Sequence, residues 1–327
     1  MRMQTPRRAA LAAAAALALA AGAAQAQTKW DMPTPYAEGE FHTRNVKAFV
    51  DDVNKATNGA LNIVVHANGS LIKHPDILRA VSTGQVNVAE FLLGQFGNED
   101  PVFAADNVPF VATGYDNAWK FYQAQKPLLE KKLEGRGMKL LFSVPWPGQG
   151  IYTKEPVKAL TDFKGLKMRG YSPLTSRLAE LMGASPIVVQ VPEIPQMFAT
   201  GAMQAMITSS ATGTSSKAWE FVKNYYKTNA WNPKNVVVVN ARGFAGLPQA
   251  QQNAVLAAAK SAEPRGWGMS KQREKDGDEA LAKNGVAVNE PSAELKAALA
   301  RIGEQMAAEW EKTAGADGQT ILNAYRK

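Results

Sequence analysis

Short apolar stretches and amphipathic ones take turns along this chain, and that alternation narrows the fold more than any other feature. Over residues 41–57 the apolar side chains Phe41, Ala48, Phe49, Val53 and Ala56 fall on one helix face, and Asn58-Gly59 stops the run. Residues 60–66 predict a strand that ends at the Asn68-Gly69 turn. A helix over 75–81, a buried strand over 86–93, a helix over 115–134 and a strand over 138–144 follow. The same style continues with strands over 166–171, 186–191, 203–208 and 235–240, and helices over 173–182 and 193–200. Beyond these the chain turns helical: residues 248–283 predict one long helix with Gly266 and Gly268 as kinks. Residues 291–313 carry a core-type stripe at Leu295, Leu299, Ile302, Met306 and Trp310. Strands alternating with helices imply an α/β protein with mostly parallel sheets, which take ligands at the carboxyl ends of their strands. The Pro/Gly-rich segment 144–150 is the expected crossing between two lobes.

The start of the chain addresses it outside the cytoplasm. Arg2, Arg7 and Arg8 precede an alanine-rich apolar run and the small-x-small site Ala24-Gln25-Ala26, the layout of a signal peptide over 1–26. That run is shorter than the roughly 20 residues a bilayer span needs. Arg7-Arg8 is followed by Ala9-Ala10 rather than a bulky residue, which favours general secretion over the twin-arginine route. With no cysteine in 327 residues, disulfides and thiolate metal sites are excluded, and stability must come from an ordinary core. Net charge is +8, or +5 without the three leader arginines (8 minus 3), enough to draw in small anions. The charges are interspersed, so no nucleic-acid patch is expected.

Several chemistries fail on residue supply. The three histidines, His42, His66 and His74, form no metal-ligand spacing. There is no G-x-S-x-G elbow and no phosphate-cradling P-loop. Neither an enzyme nor a cofactor is expected. The informative segment is Asp162-Phe163-Lys164-Gly165-Leu166-Lys167-Met168-Arg169. Leu166 and Met168 face one side of the predicted strand, Lys167 and Arg169 the other. Arg169 stands at the strand's carboxyl end, where its planar fork can take a carboxylate through two parallel hydrogen bonds. Spacing alone leaves a solvated or structurally paired arginine open.

Gly165-Leu166-Lys167-Met168-Arg169 resembles the Gly-Leu-Lys-x-Arg signature of the DctP-type solute-binding proteins of TRAP (tripartite ATP-independent periplasmic) transporters. Other segments agree in order: Thr57-Asn58-Gly59-Ala60-Leu61, Asn68-Gly69-Ser70-Leu71, Val108-Pro109-Phe110, and Gly183-Ala184-Ser185-Pro186 followed by Glu193. Thr200-Gly201-Ala202-Met203-Gln204-Ala205 is similar to a further family segment, with Gln204 in place of its usual aspartate. The resemblance runs from about Lys29 to the C-terminus.

The resemblance implies a two-lobe periplasmic binding protein fold with a long helix spanning both lobes. Lobe I is expected over 27–148 with parts of 236–327, and lobe II over 149–235. It makes Arg169 the carboxylate clamp. Gln149 falls near the position of a second arginine in sialic-acid-binding members. Leu92-Leu93-Gly94-Gln95 replaces a charged Gly-Glu-x-x-Arg pocket strand, and Thr208 and Ser209 fall near a pocket asparagine. Phe41, Trp146, Tyr152 and Trp231 lie at or beside positions that approach the ligand in relatives, each as well suited to the core as to a cleft. His74 completes the candidate set. The expected ligand is a small organic monocarboxylate with a branched or aromatic tail, such as a 2-hydroxy or 2-oxo acid. The expected partners are the small and large membrane components of the transporter, met by a monomer in the periplasm. Another transporter's or sensor's binding module, or an exported enzyme, are the alternatives.

Overall fold

A computed structural model of the chain describes residues 27–327, so the signal peptide expected over 1–26 lies outside the described residues. The first part runs β1 (Thr28–Pro33), α1 (Phe41–Ala56), β2 (Leu61–His66), α2 (His74–Ser82), β3 (Val88–Leu92), α3 (Pro101–Ala104), α4 (Gly114–Glu134) and β4 (Met138–Pro145). Then come β5 (Gln149–Thr153), β6 (Lys167–Gly170), α5 (Pro173–Leu181), β7 (Ser185–Val188), α6 (Ile194–Ala199), β8 (Ala205–Ser209), α7 (Ser210–Ser215) and β9 (Asn224–Tyr226). The chain returns through β10 (Lys234–Asn240) and α8 (Ala241–Ala245), and ends with α9 (Gln249–Lys283), β11 (Ala287–Asn289) and α10 (Ala293–Arg326).

Two sheets carry the architecture. One is three-stranded, ordered β3-β10-β4, and the other six-stranded, ordered β11-β9-β5-β8-β6-β7; β1 and β2 form a separate parallel pair. The run of four valines in β10 shows why that strand is central. Val237 and Val239 enter the core shared with α1 and α9, while Val236 and Val238 enter the core built from α2, α4 and α10. A strand buried on both faces needs apolar residues at every position, not every second one.

The α/β fold with mixed sheets is the expected one, though its parallel pairings do not outnumber its antiparallel ones. Every pairing of β10 and β5 is antiparallel, whereas β6 pairs in parallel with both β7 and β8. The reason is connectivity. The chain leaves the small sheet by β4, enters the large one directly as β5, and later returns from β9 into β10. β4 runs on into β5 and β9 runs back into β10, so β10 opposes β4 and β5 opposes β9. The crossing expected over 144–150 is therefore one of two that join strand to strand. The second covers the residues between β9 and β10, and the two are stitched together: Trp146 N–H donates to Pro233 O at 2.7 Å, and Gln149 N–H to Trp231 O at 3.0 Å.

The long helix α9 packs on α1 and β4 of one side and on α7 and β11 of the other. It is one continuous helix through Gly266 and Gly268, with Pro264 inside it. Gly266 is there for space, since a Cβ on it would collide with the side chain of Val144 and approach Asn45 Nδ2 to 2.7 Å. Gly268 has open space beside it. Opposite effects are expected. Gly268→Ala should raise stability by up to about 1 kcal/mol through helix propensity, and Gly266→Ala should lower it by about 1–3 kcal/mol through overpacking. Urea unfolding of both variants checks this, and a gain in both would restore the kink reading. The non-helical residue is instead Gly315 in α10, with φ 54° and ψ −130°. It stands two residues beyond the end predicted for that helix.

Candidate ligand-binding site

The two sheets end at a common edge. In the large sheet, Gln149 at the start of β5 lies opposite Ser209 at the end of β8, and Arg169 is one residue from the end of β6. In the small sheet, Asn235 of β10 pairs with Leu92 at the end of β3 and with Val144 near the end of β4. Between these edges lies a narrow cavity, with about 30 Å³ open to the centre of a water molecule and about 370 Å³ when all atom-free space and its mouth to solvent are counted. Seven of the ten residues singled out from the sequence line it: His74, Gln95, Trp146, Gln149, Arg169, Thr208 and Ser209. Tyr36, Leu92, Tyr171, Gln190, Val191, Thr212 and Pro233 complete the wall.

Phe41, Tyr152 and Trp231 are not among the residues that line it. Phe41 is buried behind Trp146, with ring centroids 5.4 Å apart. Tyr152 stacks on Tyr225 on the far face of the large sheet, its hydroxyl donating to Ser209 O at 3.1 Å. Trp231 is buried next to the wall and donates from Nε1 to the Tyr171 hydroxyl at 3.1 Å. The resemblance that put these aromatic residues near the ligand cannot say which of them meet the cavity. The wall is consequently richer in amides and hydroxyls than four aromatic residues would have made it.

Arg169 is the one charged side chain on this wall that neutral pH leaves ionised, and it is 2% exposed. Its Nε–H donates to Val189 O at 2.8 Å, and its guanidinium carbon sits 5.4 Å from the Tyr171 ring centroid. Among the described residues it has no carboxylate partner, and Nη1 is buried with no hydrogen-bond partner. Burial lowers the guanidinium to about 10, against the opposing influence of Tyr171, Tyr36 and Glu193. It therefore remains a cation at neutral pH. A buried cation without an anion costs several kcal/mol, which an incoming carboxylate would recover.

A chain of hydrogen bonds holds the ring beneath that cation. Trp231 donates to Tyr171, whose hydroxyl donates to Gln149 Oε1 at 2.9 Å, and Gln149 Nε2 donates to Pro147 O at 2.8 Å. Asn235 does the same for the opposite wall. Its Oδ1 accepts from the Tyr36 hydroxyl at 3.1 Å and from Trp146 Nε1 at 2.9 Å, and its Nδ2 donates to the buried Glu90 at 3.1 Å. Ser209 Oγ is already engaged as the cap of α7, accepting from Thr212 N–H at 3.3 Å. Sequence reasoning passed over Tyr171, though it lies two residues from Arg169 on the same side of the chain. Tyr36 and Gln190 sit in loops, where no period marks them.

His74 ties the two sides of the mouth together. Its Nε2 accepts the Leu92 N–H at 3.2 Å, which leaves the ring proton on Nδ1, facing Gln190 Oε1 at 3.1 Å. Burial is the main cause that holds its pKa down to about 4, below the ordinary 6.5. The folded state thus binds fewer protons than the unfolded one. This contribution is fully present above pH 6.5 and is lost as pH falls from 6.5 through 4, about 3 kcal/mol at most. Between pH 7 and 4.5 the wild type should lose about 2 kcal/mol more stability than His74→Leu. Equal losses in urea unfolding would show that His74 carries a proton in the folded protein.

One fixed cation among neutral amides and hydroxyls is equipment for holding an anion, and a two-lobe α/β frame that buries it at the strand ends is that of an extracytoplasmic solute receptor. The chain belongs to the DctP family of TRAP solute-binding proteins: the family-wide pattern "Bacterial extracellular solute-binding protein, family 7" matches residues 34–313. This is a family of solute binding and not of catalysis. The structure superimposes on DctP6, a Bordetella pertussis extracytoplasmic solute receptor binding pyroglutamic acid, with a TM-score of 0.90 and 48% identity over 91% of this chain and 99% of that one. A marine metagenome TRAP protein in complex with co-purified pyroglutamate gives a TM-score of 0.90 at 37% identity, over 92% of this chain and 99% of that one. The C4-dicarboxylate-binding periplasmic protein DctP of Rhodobacter capsulatus is 25% identical over 286 residues, 84% of each chain.

Proposed function

We propose that the chain captures a small monocarboxylate, pyroglutamate foremost, in the cavity between its sheets, with Arg169 as the clamp on the carboxylate. The observation that carries this is the buried, unpaired Nη1 of Arg169 on a wall with no second cation. One carboxylate satisfies that wall, and a second would be buried without a partner. The amides and hydroxyls around Arg169 suit the ring N–H and C=O of pyroglutamate better than the branched or aromatic tail of a 2-hydroxy or 2-oxo acid. Relatives that are 48% and 37% identical bind this ligand, which supports the same reading.

In this reading the lobes divide at the two crossings, with lobe I over 27–148 plus parts of 236–327 and lobe II over 149–235. Closure brings Gln190 of one lobe onto His74 of the other and removes the ligand from water, which strengthens its charge-assisted hydrogen bonds. The closed monomer, exported to the periplasm, then delivers the ligand to the small and large membrane components of a TRAP transporter. A thermal-shift panel of pyroglutamate, 2-oxo acids, 2-hydroxy acids, C4-dicarboxylates and sugar acids tests the ligand class. Pyroglutamate at a hundred times its Kd should stabilise the protein by about 2.7 kcal/mol. A response confined to dicarboxylates or sugar acids overturns the proposal, and one confined to 2-oxo or 2-hydroxy acids keeps the clamp but replaces the ligand.

A further inference from the structure

We infer that Gln95 reads the amide edge of the ligand, so that the receptor selects a lactam acid over an acid of the same shape that lacks the ring N–H. This rests on the assignment of a pyroglutamate-type monocarboxylate to the cavity.

Among the residues lining the cavity, two polar atoms are buried with no hydrogen-bond partner: Nη1 of Arg169 and Oε1 of Gln95. The first can only donate and the second can only accept. Several neighbouring groups are already engaged. Gln149 is held at both ends of its amide, His74 at both nitrogens, and Tyr171 and Trp146 through their polar hydrogens. The wall therefore asks its ligand for an anionic acceptor and, separately, for an N–H donor. A monocarboxylate without that donor would bury the Gln95 acceptor unpaired.

A primary carboxamide carries its oxygen and its NH₂ on one planar edge. A five-membered lactam is locked in the cis form, so its N–H and C=O also share one edge, and the two edges match as a pair of hydrogen bonds. An open-chain trans amide points the same groups in opposite directions and cannot make that pair. The backbone of Gln95 is well placed for the task. It lies on the helical turn Leu93–Phe96 directly after β3. Gly94 before it packs against the Asn107 side chain so tightly that any Cβ there would collide, and Phe96 after it is wedged edge-on against Phe91 at 5.2 Å.

The test is calorimetry on ligand-free protein with two probes, L-pyroglutamate and the matching γ-lactone acid, in which ring oxygen replaces N–H. Wild type should prefer the lactam by about 10- to 100-fold. Gln95→Leu should weaken pyroglutamate binding by a similar factor, weaken the lactone less, and so narrow the preference. Equal wild-type affinities for the two probes, or an undiminished preference in Gln95→Leu, would overturn the role of Gln95 while leaving the ligand class intact. If wild type binds neither probe, the ligand assignment and this inference fall together. Should Gln95→Leu not fold, by circular dichroism, the wild-type preference and a Gln95→Met variant decide.

Discussion

Replacing Arg169 with alanine should abolish carboxylate binding and leave the fold at least as stable as before. The two halves of this expectation have one cause. The guanidinium is buried, donates one hydrogen bond to Val189 O, and has no anion among the described residues. A charged hydrogen bond contributes about 1.5–3 kcal/mol, so losing a two-pronged contact should weaken binding by roughly a hundredfold to ten-thousandfold. Removing an uncompensated buried charge relieves desolvation, which offsets the cavity left by the shortened side chain. Arg169→Lys should also bind poorly, because a point charge cannot reproduce the planar fork, and its ammonium loses the Nε geometry that reaches Val189. Calorimetry gives the affinities and urea unfolding the stabilities. Unchanged affinity in either variant would remove Arg169 from the site. A large loss of stability in Arg169→Ala would make it a structural residue instead.

Asp106→Asn should be the most destabilising single change away from the ligand, by about 3–5 kcal/mol. Lys234 Nζ lies 2.9 Å from Asp106 Oδ2, with the two side chains 1% and 2% exposed. The same oxygen accepts the Lys234 backbone N–H at 2.9 Å, and Oδ1 accepts from Asn107 Nδ2 at 2.6 Å. This pair pins the entry to β10, directly after the second crossing. Neutralising the aspartate alone leaves a buried ammonium facing a neutral acceptor. Adding Lys234→Met removes that charge but leaves one of the two N–H groups facing the amide nitrogen of the new asparagine, so the double variant should recover only part of the loss. Urea unfolding of the two variants checks the pair. A single variant of wild-type stability would mean that Lys234 reaches water.

The elements visible from sequence were those whose signal is local. The helix face at Phe41, the turn at Asn68-Gly69 and the valines of β10 each announce themselves within a few residues, and each stands close to its predicted place. The strands β5, β9 and β11 gave no such signal. Each has at most five residues, and β5 sits in a Pro/Gly-rich stretch that predicts only a crossing. It becomes a strand because β8 and β9, far away in the chain, offer it two edges. Gly266 shows the same limit. A glycine in a helical pattern suggests a kink, and only the approach of Val144 reveals that the residue is there to make room.

From sequence alone the alternation fixes an α/β fold, the absence of cysteine fixes reliance on the core, and the Gly165-to-Arg169 segment sets an arginine at a strand end. These follow from the types and order of neighbouring residues. Tertiary structure alone decided that Phe41, Tyr152 and Trp231 stand behind the cavity wall, and that Tyr36, Tyr171 and Gln190 form part of it. It also decided that Arg169 keeps an unpaired donor and Gln95 an unpaired acceptor. The reason is that a buried polar atom's partners come from segments remote in the chain. Val189, Leu92 and Asn235 saturate some groups on the wall and leave others, the buried Arg169 Nη1 and Gln95 Oε1 among them, for the ligand.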